Sequence, residues 1–366
     1  MKVVRWLTVI VALALATAAC SGSGGSAGSA TDASKAGASG SVTSGAPDSG
    51  SLTKVRYVQP SSSMAYLTAE VALAMGYYEQ EGLDVEVLPN SAQTTQAVLD
   101  GQADIASAST PQVLNAMQAG RPVKAVGVMT PNSPNDLALS NEAIKALADK
   151  GVTPQSSITD RLKALKGLTI TLPAEGSTSN LTFRAMLAGV GLDPDTDLKL
   201  IAISDSQANV TTTREGHADG YVFSPPVTSV AQADGFGQRW LAFYEDPTMT
   251  GIYTILIIAS PDYLAAHKDT VEAFLRATDK AFHALKDDKA AAAKAVKDKW
   301  FADLDQKTFD LAFDSMAPVY ADGMSPVPSN VSRMVQLTSQ QTKTDLSGLS
   351  FDKIFDLSYL PKPGNG

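Results

Sequence analysis

Six residues recur along this chain at one spacing. Gly101, Ala103, Asp104, Pro111, Ala116 and Gly120 return 115 positions later as Gly216, Ala218, Asp219, Pro226, Ala231 and Gly235. Glycine and aspartate are common at turns between helices and strands, but six coincidences at a single offset point to a duplicated structural unit. Around the first copy, apolar runs at Val55–Gln59, Leu83–Leu88, Asp104–Ser107 and Val123–Met129 read as strands. Met64–Gln80, Gln93–Asp100 and Pro111–Ala119 read as helices. The second series predicts strands at Leu168–Leu172, Leu198–Ile203, Asp219–Phe223, Trp240–Tyr244 and Tyr253–Ile258, with helices at Ser177–Val190, Gln207–Glu215 and Val227–Ala233. Beyond Pro261 the spacing is helical, over Thr270–Leu285, Lys289–Trp300 and Gln306–Met316. Such alternation predicts an α/β fold of two lobes, each a mostly parallel sheet with helices on its faces. The predicted division is lobe 1 over residues 53–135, lobe 2 over 136–255, and completion of lobe 1 with C-terminal helices over 256–366. Two lobes of this kind turn the C-terminal ends of their strands toward a shared cleft, where ligands bind.

Charge narrows the partners. The chain has 29 basic and 38 acidic residues, a net charge of −9. No cluster of Lys and Arg offers the phosphate neutralisation that nucleic acid requires. No cofactor motif is present, and the three histidines, His217, His267 and His283, are scattered without metal-ligand or Ser-His-Asp spacing.

The N-terminus reads as an export signal over residues 1–19. Lys2 and Arg5 precede an apolar run from Trp6 to Ala16, and Thr17, Ala18 and Ala19 follow. The only cysteine, Cys20, comes next, in the position of a cysteine that is lipidated and becomes the mature N-terminus; Thr17 departs from the usual Leu three residues before it. Residues 21 to about 52 are nearly all Ser, Gly, Ala, Thr and Asp, a composition that cannot offset its chain entropy and predicts a tether. The expected location is the outer face of the cell membrane, anchored by lipid.

The segment Gly76-Tyr-Tyr-Glu-Gln-Glu-Gly82-Leu-Asp-Val-Glu86 resembles a signature of the nitrate, sulfonate, taurine and thiamine-pyrimidine precursor binding proteins, the NMT1/THI5-like family. Gly101-Gln-Ala-Asp104, the run Ala119 to Val126, and Gly216-His-Ala-Asp219 with Pro225-Pro226 fit the same family. The resemblance spans about residues 53 to 290. It implies a type II periplasmic-binding-protein fold that closes on a ligand, with C-terminal helices packed mainly on lobe 1. It also implies the partners: a small-molecule ligand and an ABC permease in the membrane. The chain is expected to act as a monomer.

Candidate ligand-binding residues lie in the loops after the strands. They are Ser61, Ser62, Ser63 and Met64 after the first strand, Asn90 and Ser91 after the second, and Ser107, Ser109 and Thr110 after the third. Lobe 2 contributes Ser177, Thr178, Ser179, Tyr221 and Ser224. Each hydroxyl-rich loop leads into a helix N-terminus, where free backbone N–H groups and the helix dipole favour an anion. Ser and Thr are also preferred N-caps, so capping competes as a reading for any one of them, while their convergence supports the set. Ser63, Ser109, Thr178 and Tyr221 are the strongest individual candidates. Asp104 and Asp219 sit at matched strand starts and read as turn structure. Glu175 can serve as a first-turn helix acid or face a ligand amino group.

An enzyme on the same fold is disfavoured. The mature core has no cysteine nucleophile, and the Cys-rich motif and active His of the eukaryotic thiamine-pyrimidine synthases have no counterpart. The favoured ligand is an aliphatic sulfonate or related small oxyanion. The alternative is a pyrimidine or other flat heterocycle stacked on Tyr66, Tyr221 or Phe223.

Overall fold

The structure, a computed structural model, describes residues 51–362 apart from Ser62 and Gly176. The export signal, Cys20 and nearly all of the tether lie outside the described residues.

Among the described residues, ten strands form two five-stranded sheets. The first contains β1 (Thr53–Val58), β2 (Leu83–Val87), β3 (Ile105–Ser109), β4 (Lys124–Thr130) and β10 (Ile255–Ala259), in the order β2-β1-β3-β10-β4. The second contains β5 (Asp136–Ser140), β6 (Thr169–Leu172), β7 (Lys199–Ala202), β8 (Gly220–Phe223) and β9 (Gly237–Ala242), in the order β7-β6-β8-β5-β9. The two topologies are the same. In each sheet the first three strands run parallel, and one strand from the other half of the chain enters antiparallel. That strand is β10 in lobe 1 and β5 in lobe 2, so the chain crosses between lobes twice.

The repeat at 115 residues has a physical cause. Gly101 and Gly216 both adopt φ near +70°, as do Gly120 and Gly235, and this left-handed conformation favours glycine. Asp104 and Asp219 then do the same work. One oxygen of Asp104 accepts the Arg56 backbone N–H of β1 at 2.8 Å, and one of Asp219 accepts the Thr169 N–H of β6 at 2.7 Å. Each carboxylate thus satisfies a strand-edge amide at the entry of the next strand. In lobe 1 Arg56 adds a fork to the same carboxylate, with Nη2 to Oδ1 at 2.6 Å.

Side-chain alternation divides each core between two faces of its sheet. In lobe 1, Val55, Tyr57, Ile105 and Ile257 face helices Leu67–Ala74 and Lys268–Asp287, while Val58, Ala106, Ala108, Leu256 and Ile258 face the other way. Lys268–Asp287 buries Val271, Phe274, Leu275, Thr278, Phe282 and Leu285, an i, i+3, i+4, i+7 stripe. Phe274 stacks on Tyr78 with ring centroids 4.7 Å apart.

The sequence shows no strand period over Asp136–Ser140, yet β5 is a fully buried inner strand of lobe 2. The C-terminal helices were expected mainly on lobe 1, and Lys268–Asp287 and Lys289–Trp300 do pack there. The next two touch both lobes. Gln306–Met316 buries Phe309, Ala312, Phe313 and Met316 in the lobe 1 core, while Lys307 Nζ donates to the Ala233 carbonyl of lobe 2 at 2.5 Å. Pro328–Thr342 places Val331, Met334 and Val335 on lobe 1 and Leu337 against lobe 2. Its Gln341 Nε2 reaches Thr182 Oγ1 at 3.4 Å.

Candidate functional site

Four loops leave the C-terminal ends of β1, β3, β6 and β8 and meet between the lobes. They enclose a cleft of about 250 Å³. Ser61, Ser63, Ala65, Tyr66 and Ser109 line it from lobe 1, and Thr178, Ser179 and Ser224 line it from lobe 2. The two crossovers supply Pro134, Asn135, Thr254 and Ile255. Ser63 and Thr178, like Ser109 and Ser224, stand 115 positions apart, so the repeat that builds the lobes also matches hydroxyls across the cleft.

Local structure sets each position. Ser63 caps the 3-10 turn Met64–Tyr66, its Oγ accepting the Ala65 N–H at 3.3 Å. Ser109 is the extended residue before helix Thr110–Gln118, whose Pro111 lies in the first turn, where a missing N–H costs nothing. Ser177 caps helix Thr178–Gly189 by accepting the Asn180 N–H at 3.3 Å. Capping by Ser177 turns the first residues of that helix, Thr178 and Ser179, toward the cleft. First-turn amides have no carbonyl partner within a helix, so this end carries partial positive charge. Ser179 Oγ donates to Asn135 Oδ1 at 2.9 Å, which ties the helix end to the crossover. Among the described residues no charged side chain lines the cleft. Burial, and after it the nearby Glu70 carboxyl, holds the Tyr66 hydroxyl above its ordinary pKa, so it stays protonated at neutral pH.

Other candidates stand elsewhere. Tyr221 is fully buried with Ala138, Val210 and Ala231, and its hydroxyl donates to the Val227 carbonyl at 2.9 Å. Strand alternation turns it into lobe 2, and Phe223 packs against the same group. Met64 lies in the lobe 1 core. Ser107 is buried with its Oγ 2.6 Å from the Tyr57 hydroxyl. Thr110 Oγ1 donates to the Tyr253 carbonyl at 2.7 Å, and Thr110 borders a small enclosed space beside the cleft. Asn90 is exposed, and Ser91 Oγ accepts the Gln93 N–H at 3.1 Å; neither lines the cleft. Glu175 and His217 are exposed. Ser62 lies outside the described residues. Asn135 and Thr254 were missed. Their signal was their place between the two βα series, where the chain has to pass from one lobe to the other. Among the described residues no three His, Cys, Asp or Glu side chains gather as a metal site requires, and no helix is long and apolar enough to cross a membrane.

Residues 65–292 match the model of a family described as NMT1/THI5 like. The chain belongs to the NMT1/THI5-like family of ABC-importer solute-binding proteins. A protein of this family binds a small molecule. Its fold is the two-lobed periplasmic-binding-protein fold, as solved structures show. The periplasmic aliphatic sulphonate binding protein of Escherichia coli superposes with a TM-score of 0.60 at 17% identity, over 85% of this chain and 99% of that one. The alkanesulfonate-binding protein of Xanthomonas axonopodis pv. citri, solved with MOPS bound, gives 0.55 at 18% identity, over 80% and 91%. The periplasmic nitrate-binding protein of Synechocystis gives 0.55 at 14%, over 82% and 84%. No protein of curated function matches the sequence.

Proposed function

We propose that this protein is an extracytoplasmic lipoprotein that captures a small organic oxyanion, such as an aliphatic sulfonate, and delivers it unchanged to an ABC permease. The observation that carries the reading is the meeting of hydroxyls from both lobes, with the N-terminus of helix Thr178–Gly189, around one uncharged cleft. An oxyanion needs donors rather than a full counter-charge, and hydroxyls with first-turn amides supply them. Ile255, Ala65 and the Tyr66 ring offer apolar surface for a short carbon chain. Two of the similar solved structures are sulfonate-binding proteins, which supports this ligand class. Contacts on both lobes favour the closed arrangement because they exist only there. Cleavage before Cys20 and lipidation of that cysteine would leave the tether between membrane and lobes.

The test is titration calorimetry with ethanesulfonate, taurine, nitrate and a hydroxymethylpyrimidine. A sulfonate should bind stoichiometrically and be recovered intact. Ser109→Ala and Thr178→Ala should each weaken it about fivefold, the ~1 kcal/mol of one hydrogen bond. Tight binding of the pyrimidine alone would replace the oxyanion with a flat neutral ligand on Tyr66. A product that accumulates with time would overturn the assignment.

A further inference from the structure

Behind the Ser61–Ser63 loop lies a carboxyl that does not line the cleft. Glu70, in helix Leu67–Ala74, is fully buried. Its Oε1 accepts Gln59 Nε2 at 3.3 Å, and the nearby Ser63 backbone also favours the charged form. The same Gln59 nitrogen donates to the Ser61 carbonyl at 3.0 Å. Gln59 Oε1 in turn accepts the Tyr57 hydroxyl at 3.2 Å. The cleft-lining Ser61 is therefore held from behind through Gln59, which also binds Glu70.

The surroundings hold no counter-charge. The groups facing the carboxyl are the amide of Gln59 and the hydroxyls of Tyr57, Tyr66 and Tyr320. On the helix packed against it, Lys299 donates to the Leu73 carbonyl, and Trp300 donates to the backbone carbonyl of Glu70. Tyr66 lines the cleft, and Glu70 follows it by four residues, on the same side of the turn. A charge on Glu70 would thus stand one side chain behind the ligand, in a low-dielectric interior where charges act strongly.

We infer that Glu70 is a positioning residue whose neutral form suits the cleft to an anion and whose ionised form repels one, so that anion binding is coupled to proton retention at this carboxyl. The inference rests on the reading of the cleft as an oxyanion site. Burial is what keeps the acid neutral, and it pushes the carboxyl up to about 8 against the smaller opposing effects of the Gln59 hydrogen bond and the Ser63 backbone. An anion in the cleft raises it further. Above pH 8 the free protein has lost the proton that the complex keeps, so affinity falls with rising pH, by at most about tenfold per unit. Below pH 7 both forms keep the proton and affinity is level.

The experiment measures Kd for ethanesulfonate at pH 6.5, 7.5, 8.5 and 9.5, with the full chain and with Glu70→Gln. The amide keeps an acceptor oxygen for the Gln59 contact and cannot ionise. The wild type should weaken several-fold to tenfold between pH 7.5 and 9.5. Glu70→Gln should bind as the wild type does at pH 6.5 and stay level to pH 9.5. Level binding by the wild type would overturn the inference and leave the oxyanion reading intact, as would an equal decline in Glu70→Gln. No binding of ethanesulfonate at any pH would overturn the oxyanion reading itself, and the proton coupling with it.

Discussion

Asp136→Asn should make the protein more stable at neutral pH, and the gain should depend on pH. Asp136 opens β5 and is 4% exposed. Its one hydrogen bond is long, from Thr228 Oγ1 at 3.4 Å. Burial is the largest influence on the carboxyl and raises it from 3.8 to about 7; Glu245 adds to the rise, and Arg239 and the Thr228 bond oppose it. A raised folded pKa means that the native state holds a proton the unfolded chain has released. Unfolding free energy therefore falls as pH rises from about 4 to about 7, and is level beyond. Roughly three pH units at 1.36 kcal/mol each set an upper bound of ~4 kcal/mol. Water reduces it, because Asp136 borders a cavity of about 390 Å³. The expected gain is about 1–3 kcal/mol at pH 8 relative to pH 4. Urea unfolding at pH 4, 6 and 8 reads it as the difference between variant and wild type, in which the titration of Glu70 cancels. A difference that does not change with pH would refute the reasoning, and so would a variant less stable than wild type at pH 8.

Asp104→Ala removes the acceptor for the Arg56 backbone N–H and breaks the guanidinium fork, and should cost about 2 kcal/mol without changing ligand affinity, because the carboxylate stands at the strand entry, away from the cleft. Denaturation and calorimetry on the same variant separate the two effects. Tyr221→Phe should lose ~1 kcal/mol with the bond to the Val227 carbonyl, and again leave affinity unchanged. A tenfold loss of affinity in Tyr221→Phe would return that side chain to the ligand site.

Local chemistry made the lobes legible. Left-handed glycines at turns, aspartates that accept a strand-edge amide and apolar runs of strand length each report on a few neighbouring residues, and a duplicated unit reports twice. The placement of hydroxyl-rich loops at strand ends followed from topology, which is why Ser61, Ser63, Ser109, Thr178, Ser179 and Ser224 meet in one cleft. β5 was not legible. Asp136-Leu-Ala-Leu-Ser is only five residues long and buried on both faces, so it has no alternation to show. Ser177 and Thr178 illustrate a finer limit. Both are hydroxyls at one helix start, and only the backbone geometry makes one the cap and the other a wall of the cleft. Tyr221 fits either side of its strand by sequence, and the packing of Ala138, Val210 and Ala231 sends it inward. The helices Gln306–Met316 and Pro328–Thr342 announce an apolar stripe but cannot name the surface it covers. The sequence by itself determined most helices and strands of the two βα series, because those preferences arise within a few residues. Only the tertiary structure decided which side chains face the cleft, which helices join the lobes, and that Glu70 lies buried without a cation, because these depend on what distant segments bring to the same place.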